Sequence, residues 1–276
     1  MRWRDQRQST NIEDRRGLGG PAMIGGGGIG VLVIALAIYL CGGDPSQFLN
    51  QSGPAGGDVP PPGQAANKVV TQDEQRQFVG AIMGSLEDGW RRILPEQNPR
   101  VRYQDPKLVL FSGQVSSACG YATAASGPFY CPGDHNLYLD FEFFNELKRE
   151  FKAPGDFAQA YVIAHEFGHH IQNLTGMMGR VQRAGQNNRL SVALELQADC
   201  YAGVWASFAA KQNRLETGDA EEAIRAAAAV GDDMIQKRTQ GFVVPDSFTH
   251  GSSKQRIEWF TRGAKSGDMR QCETFR

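Results

Sequence analysis

His165-Glu166-Phe167-Gly168-His169 sets two imidazoles four residues apart with a carboxylate beside the first. Residues four apart share one face of a helix, so His165 and His169 can both aim a ring nitrogen at one ion. Glu166 projects about 100° round the helix from His165. That offset suits a general base, which must reach a metal-bound water without joining the ligands. The stretch therefore predicts a catalytic zinc ion with two of its ligands fixed by one rigid element.

The flanks predict helix. From Asp156 the chain runs Phe157-Ala158-Gln159-Ala160-Tyr161-Val162-Ile163-Ala164 through the motif to Ile171 and Leu174, with no Pro and no acidic or basic residue but Glu166 outside the histidines. Pro154-Gly155-Asp156 supplies a breaker and an N-cap, and Gly176 a C-cap. Gly168 costs about 1 kcal/mol against Ala in a helix interior, which marks it for close backbone packing near the metal. The competing reading is an ordinary buried helix that carries two histidines and a glutamate.

Catalytic zinc takes three protein side chains and leaves a fourth position to water. Downstream, Leu190 to Gly203 reads as a second helix, nearly all apolar or small, with Glu195 and Asp199 as its only charges. Buried carboxylates need partners, and these two share a face. Glu195 is assigned to the ion. Asp199 is assigned to the distal N–H of a ligand histidine, whose tautomer it would fix. The swap, with Asp199 on zinc, stays open.

H-E-x-x-H on one helix followed by E-x-x-x-D on the next resembles the gluzincin metallopeptidases. Further segments, namely Cys119-Gly120, Gly127 to Pro132, Leu137 to Asp140, Glu195 to Cys200 and Thr249 to Ser253, look like the bacterial putative neutral zinc metallopeptidase family. The resemblance spans most of the chain after residue 70, and the N-terminal anchor is matched in kind. It implies a zincin-like fold and one Zn2+ per chain more strongly than it implies a substrate.

Thr249-His250-Gly251-Ser252-Ser253-Lys254-Gln255-Arg256-Ile257 also resembles the T-H-P-x-x-x-x-R-I segment of HtpX-like and CaaX-prenyl membrane proteases. The likeness implies that His250 donates to the oxyanion and that Arg256 braces a carboxylate beside the zinc. Gly251 stands where those families have Pro. The alternative makes His250 a polar cap on a helix from Ser252 to Lys265. His170 points about 100° away from His169 and suits a polar partner or wet surface. His135 reads as a turn residue.

Asn136 to Asp140 alternates and is bounded by breakers, so it reads as a strand. In zincins an edge strand beside the metal pairs with the substrate backbone, which would make Tyr138 and Asp140 part of a substrate platform. An ordinary internal strand fits the same residues.

Ala22 to Cys41 is free of charge and long enough to cross a bilayer as a helix. Arg2, Arg4, Arg7, Arg15 and Arg16 precede it, and no Lys or Arg follows until Lys68. The positive-inside bias predicts a cytoplasmic segment over 1–21, a transmembrane helix over 22–41, and a periplasmic or extracellular remainder. A cleaved signal peptide is the rival, because Ala35-Leu36-Ala37 fits a cleavage site. Residues 42–70, rich in Gly, Pro, Gln, Asn and Ser, read as a flexible tether. That leaves 71–276 as one metallopeptidase domain.

Of five cysteines, Cys41 lies at the membrane end. Cys119, Cys131, Cys200 and Cys272 remain as an even set for an oxidising compartment to pair. Three connectivities are possible; Cys119 with Cys131 is preferred, leaving Cys200 with Cys272. Zinc ligation by thiols competes, without C-x-x-C spacing.

The predicted fold is α+β, mainly helical with a small sheet. It comprises an amphipathic helix over 71–94 with Phe78, Ile82, Leu86, Trp90 and Ile93 inward, strands at 107–111 and 136–140, the two zinc helices, a helix over 219–238 and a last helix near Arg256. Asp232-Asp233 reads as a solvated or capping pair. The formal net charge is −1 and basic residues are scattered, which argues against nucleic acid. The expected activity is peptide hydrolysis, with a peptide or protein as substrate and the membrane as partner through 22–41. The alternatives are a tethered binding or scaffold protein with a structural zinc, and a zinc hydrolase of other amides. Oligomeric state is not legible.

Overall fold

The computed structural model describes residues 1–17, 62–185 and 187–275. Met1–Arg16 and Glu74–Arg276 make one compact unit, and Gly17–Asp73 a second. Residues 1–16, part of the segment expected over 1–21, thus fall in the unit that holds the expected metallopeptidase domain. The expected transmembrane helix over 22–41 and most of the expected tether lie outside the described residues. Among the described residues, no helix is long and apolar enough to cross a membrane.

Helix α1, Pro62–Gln97, begins before the expected Thr71 and takes over the end of the expected tether. Its stripe of Phe78, Ile82, Leu86, Trp90 and Ile93 is buried, because apolar residues at three- and four-residue steps fall on one face. The strands follow: β1 Ile12–Asp14, β2 Lys107–Phe111, the hairpin β3 Gln114–Ser117 and β4 Gly120–Thr123, β5 Phe129–Cys131 and β6 Asn136–Asp140. The main sheet has the order β1-β2-β6-β5. β1, β2 and β6 are parallel in register (Ile12 opposite Leu108, Leu108 opposite Leu137), and β5 runs antiparallel to β6.

That order corrects the substrate-platform expectation for Tyr138 and Asp140. β6 is internal, with β2 and β5 occupying both of its edges, so its backbone has no free row to offer a peptide. Tyr138 is buried, stacks on Phe129 at 4.7 Å and donates to Asp134 at 2.8 Å. Asp140 accepts from the Gly113 and Glu142 amides at 2.7 and 3.0 Å, closing turns. Among the described residues, the strand beside the cleft with an unpaired side is β5.

The helical layer holds α2 Glu142–Arg149, α3 Asp156–Leu174, α4 Met177–Ala184, α5 Asn188–Lys211, α6 Asp219–Ala229, α7 Asp232–Gln240 and α8 Ser253–Ser266. The single helix expected over 219–238 is two. It breaks at Gly231, where a Cβ would fall 2.4 Å from the Ser253 amide, so the chain turns there to pack against the start of α8. Trp205 of α5 stacks on Phe157 of α3 at 5.8 Å, and its indole N–H donates to Ser85 of α1 at 3.1 Å. One continuous core thereby joins α1, α3 and α5. Disulfides Cys119–Cys131 and Cys200–Cys272 form as preferred. The first ties the β3–β4 hairpin to β5, and the second ties the tail to α5.

Candidate metal centre

Helices α3 and α5 come close at Gly168, where a Cβ would lie 2.9 Å from the Ala198 carbonyl oxygen. The missing side chain brings His165 and His169 opposite Glu195. His165 Nε2 stands 3.1 Å from Glu195 Oε2, and His169 Nε2 3.4 Å from Glu195 Oε1. The three residues offer donor atoms that all lie within 4.8 Å of one another.

The arrangement fits a zinc ion on two counts. Ligands at tetrahedral corners about 2.1 Å from zinc stand roughly 3.4 Å apart, close to the spacings seen. The far nitrogen of each ring is also occupied, which turns both Nε2 atoms toward the centre. His165 Nδ1–H donates to Asp199 Oδ1 at 2.8 Å, and His169 Nδ1–H to Gln172 Oε1 at 2.8 Å.

Asp199 is fully buried and receives more than the histidine. Tyr161 donates to it at 2.5 Å, and Arg256 at 2.8 and 3.0 Å through Nε and one terminal nitrogen. Burial works against its ionisation, but the Arg256 and His165 charges hold its pKa below the ordinary value. Arg256 is itself buried, and its other terminal nitrogen reaches the Val230 carbonyl at 3.0 Å. It braces Asp199 as its sequence context implied. Glu195 is likewise held well below its ordinary value, against burial, by the two imidazoles. Burial works to lower the His165 pKa, yet the Asp199 and Glu195 carboxylates push it up to about 10. A cation held between His165 Nε2 and Glu195 would take the place of that proton.

Glu166 lines the same cleft. Burial is the largest influence on its carboxyl and keeps the pKa above the ordinary range, against the pull of His165 and His169. His250 also lines the cleft. Its Nδ1 meets Asp232 Oδ1 at 3.0 Å, while Asp232 Oδ2 accepts from the amides of Thr249, His250 and Gly251 at 2.7, 2.7 and 3.0 Å. The hydrogen bond that His250 donates to Asp232 raises its pKa. His250 is not the cap of α8; Ser252 is, in a capping box with Gln255.

The cleft has a volume of about 530 Å³, and Phe129, Phe143, Phe151, Val162, Met178 and Ile235 line it beside the polar residues. Residues 1–275 match the family described as putative neutral zinc metallopeptidase.

The chain belongs to that family.

Its relatives include the uncharacterized protein YpfJ of Escherichia coli K12, 44% identical over 288 positions that cover all of this chain and 99% of YpfJ. The uncharacterized protein Rv2575 of Mycobacterium tuberculosis is 42% identical over 252 positions, 86% of this chain and 84% of Rv2575. No solved structure matches.

In this member of the family the sequence reading missed several supporting residues. Gln172 holds His169 and donates to the Leu194 carbonyl and to Gln197 at 2.7 and 3.1 Å, and Gln197 donates to the Cys272 carbonyl at 2.9 Å. Two amides in otherwise apolar helices were the signal, since buried polar groups need partners. Tyr161, four residues before His165, was readable by the same spacing rule. Asp232 was seen, but its role depends on a loop contact that no local pattern shows. His170 is buried between the Gln104 carbonyl at 2.7 Å and the Tyr130 hydroxyl at 3.2 Å, and burial lowers its pKa to about 4, so it is a neutral structural link. His135 sits in a turn with φ of 62°, as expected.

Proposed function

We propose that the protein is a zinc-dependent peptidase whose ion is held by His165, His169 and Glu195, with Glu166 as general base. The observation that carries this reading is the convergence of three donors from two helices at the floor of a cleft that also receives Glu166. When bound, zinc supplies Lewis acidity that polarises a carbonyl and acidifies a water. The Glu166 carboxylate takes the proton of the attacking water and delivers it to the leaving amine; a raised pKa suits a group that must act as base and then as acid. His250, with Nδ1 committed to Asp232, has Nε2–H left to donate to the oxyanion. Asp199, Gln172 and Arg256 keep the ligands in register.

The free side of β5 is proposed to pair with an extended substrate backbone, and the wall formed by Phe143, Phe151 and their neighbours to receive a large apolar side chain next to the scissile bond. That combination favours a peptide over other amides. A structural zinc would have all four positions filled by protein; among the described residues the donor cluster stops at three side chains.

Metal analysis of the full chain, followed by peptide-library cleavage with and without a chelator, tests the reading. Stoichiometric zinc with chelator-sensitive cleavage is expected. Zinc without cleavage of any peptide would leave a binding protein, and a chain that takes up no zinc would end the proposal.

A further inference from the structure

The N-terminal residues are built into the domain. Met1 and Trp3 belong to the main core, and Trp3 packs edge-on against Phe78 at 5.5 Å. The backbone is stitched on both sides: the Ser9 amide donates to Gly80 at 2.9 Å, the Leu108 amide to Asn11 at 2.9 Å, and the Arg15 amide to Leu110 at 2.8 Å. A Cβ at Gly84 of α1 would fall 2.4 Å from the Arg7 carbonyl oxygen, so the helix is cut to receive the strap.

Glu87 shows the dependence most clearly. Its carboxylate is buried and is bound by Ser9 at 2.5 Å, Asn11 at 2.9 Å and Arg7 at 2.7 Å, all from the strap. The arginines that suggested a cytoplasmic anchor are also paired, Arg4 and Arg7 with α1 and Arg15 and Arg16 inside the strap itself. Arg4 pairs with Glu74, Arg7 with Glu87 and Asp88, Arg15 with Glu13 and Arg16 with Asp14. The family match starts at residue 1, so it takes in the strap with the domain.

We propose that residues 1–16 and the zinc domain lie on the same side of any membrane that residues 22–41 enter. The hydrocarbon layer is about 30 Å thick, and contacts of hydrogen-bond length do not form across it. Opposite sides would leave Glu87 buried without a partner and strip β2 of its outer neighbour. This placement differs from the topology expected from the arginines. Disulfides Cys119–Cys131 and Cys200–Cys272 favour the oxidising side for both parts. The proposal does not rest on catalysis.

The test uses the full chain with Cys41→Ser, so that the paired cysteines leave no other thiol. Asp5→Cys reports the strap and Arg225→Cys the domain; both positions are exposed. A membrane-impermeant maleimide is applied to spheroplasts before and after permeabilisation. Both sites labelled before permeabilisation, or both only after it, is the expected result, and the first outcome places the pair outside. One site labelled before and the other only after overturns the proposal. Glu13→Cys, also exposed, repeats the strap reading if Asp5→Cys does not accumulate. A second variant, Gly84→Val, closes the groove: faster labelling of Asp5→Cys and a lower Tm are expected, and no change in either would mean that the strap is not seated there.

Discussion

Gly168→Ala adds one carbon at the crossing of α3 and α5. That carbon would stand 2.9 Å from the Ala198 carbonyl oxygen, 3.1 Å from its Cα and 3.3 Å from its Cβ, where ordinary contact begins at 3.4 Å. Two of the three atoms are backbone, so no rotamer change relieves the clash and the helices must part by roughly half an ångström. Zinc sites keep their ligand distances within about 0.2 Å, and the displaced pair is the one that sets His165 and His169 against Glu195. Two terms compete in the fold. Ala gains about 1 kcal/mol of helix propensity over Gly, while overpacking costs about 1–3 kcal/mol, so net destabilisation should be no more than about 2 kcal/mol. Zinc affinity should fall further, by about tenfold or more, as it does when supports behind a ligand are disturbed. Competition with a chromophoric chelator measures the affinity, and thermal unfolding with and without zinc measures the fold. A variant with unchanged zinc affinity and a raised Tm would refute the claim that this contact sets the ligand spacing.

Glu166→Gln should retain zinc and lose turnover by about 10²–10⁴-fold; unchanged turnover would remove Glu166 from the chemistry. Asp232→Asn should bring the His250 pKa down toward its ordinary 6.5, read by NMR titration. Because Asp232 raises that pKa, the stabilisation from this pair is complete below 6.5 and lost as pH rises through the raised value, so the variant's deficit in Tm should shrink at alkaline pH. Phe143→Ala, made with Phe151→Ala because the two rings pack together at 6.2 Å, should raise KM about tenfold or more for peptides with a large apolar residue beside the cleaved bond. Library profiles that do not change would move that subsite elsewhere. Replacing Cys200 and Cys272 by Ala opens a 72-residue separation and should cost about 4 kcal/mol; the Cys119–Cys131 pair, separated by 12, should cost about 3 kcal/mol. A denaturant series checks the order.

The metal centre was legible because its chemistry is local to two helices. Spacing of four places His165 with His169 and Glu195 with Asp199, and charges inside apolar helices demand partners. The cysteine pairs followed from their even number and from the short loop that one pair closes. What escaped depends on pairing between distant segments. β1 is three residues in an arginine-rich stretch, too short to show a period, and its arginines carry the same signature as a topogenic signal. β6 has the alternation of a strand, but whether it is internal is decided by β2 and β5, which lie elsewhere in the chain. The break at Gly231 and the grip of Asp232 on His250 both come from the approach of α8.

Zinc K-edge X-ray absorption on the purified full chain tests the central claim most directly. The account predicts one zinc per chain with two imidazole nitrogens at about 2.0–2.1 Å, one carboxylate and one water-derived oxygen, and loss of the carboxylate contribution in Glu195→Ala. Four protein ligands with no exchangeable oxygen, or a spectrum that Glu195→Ala leaves unchanged, would contradict it.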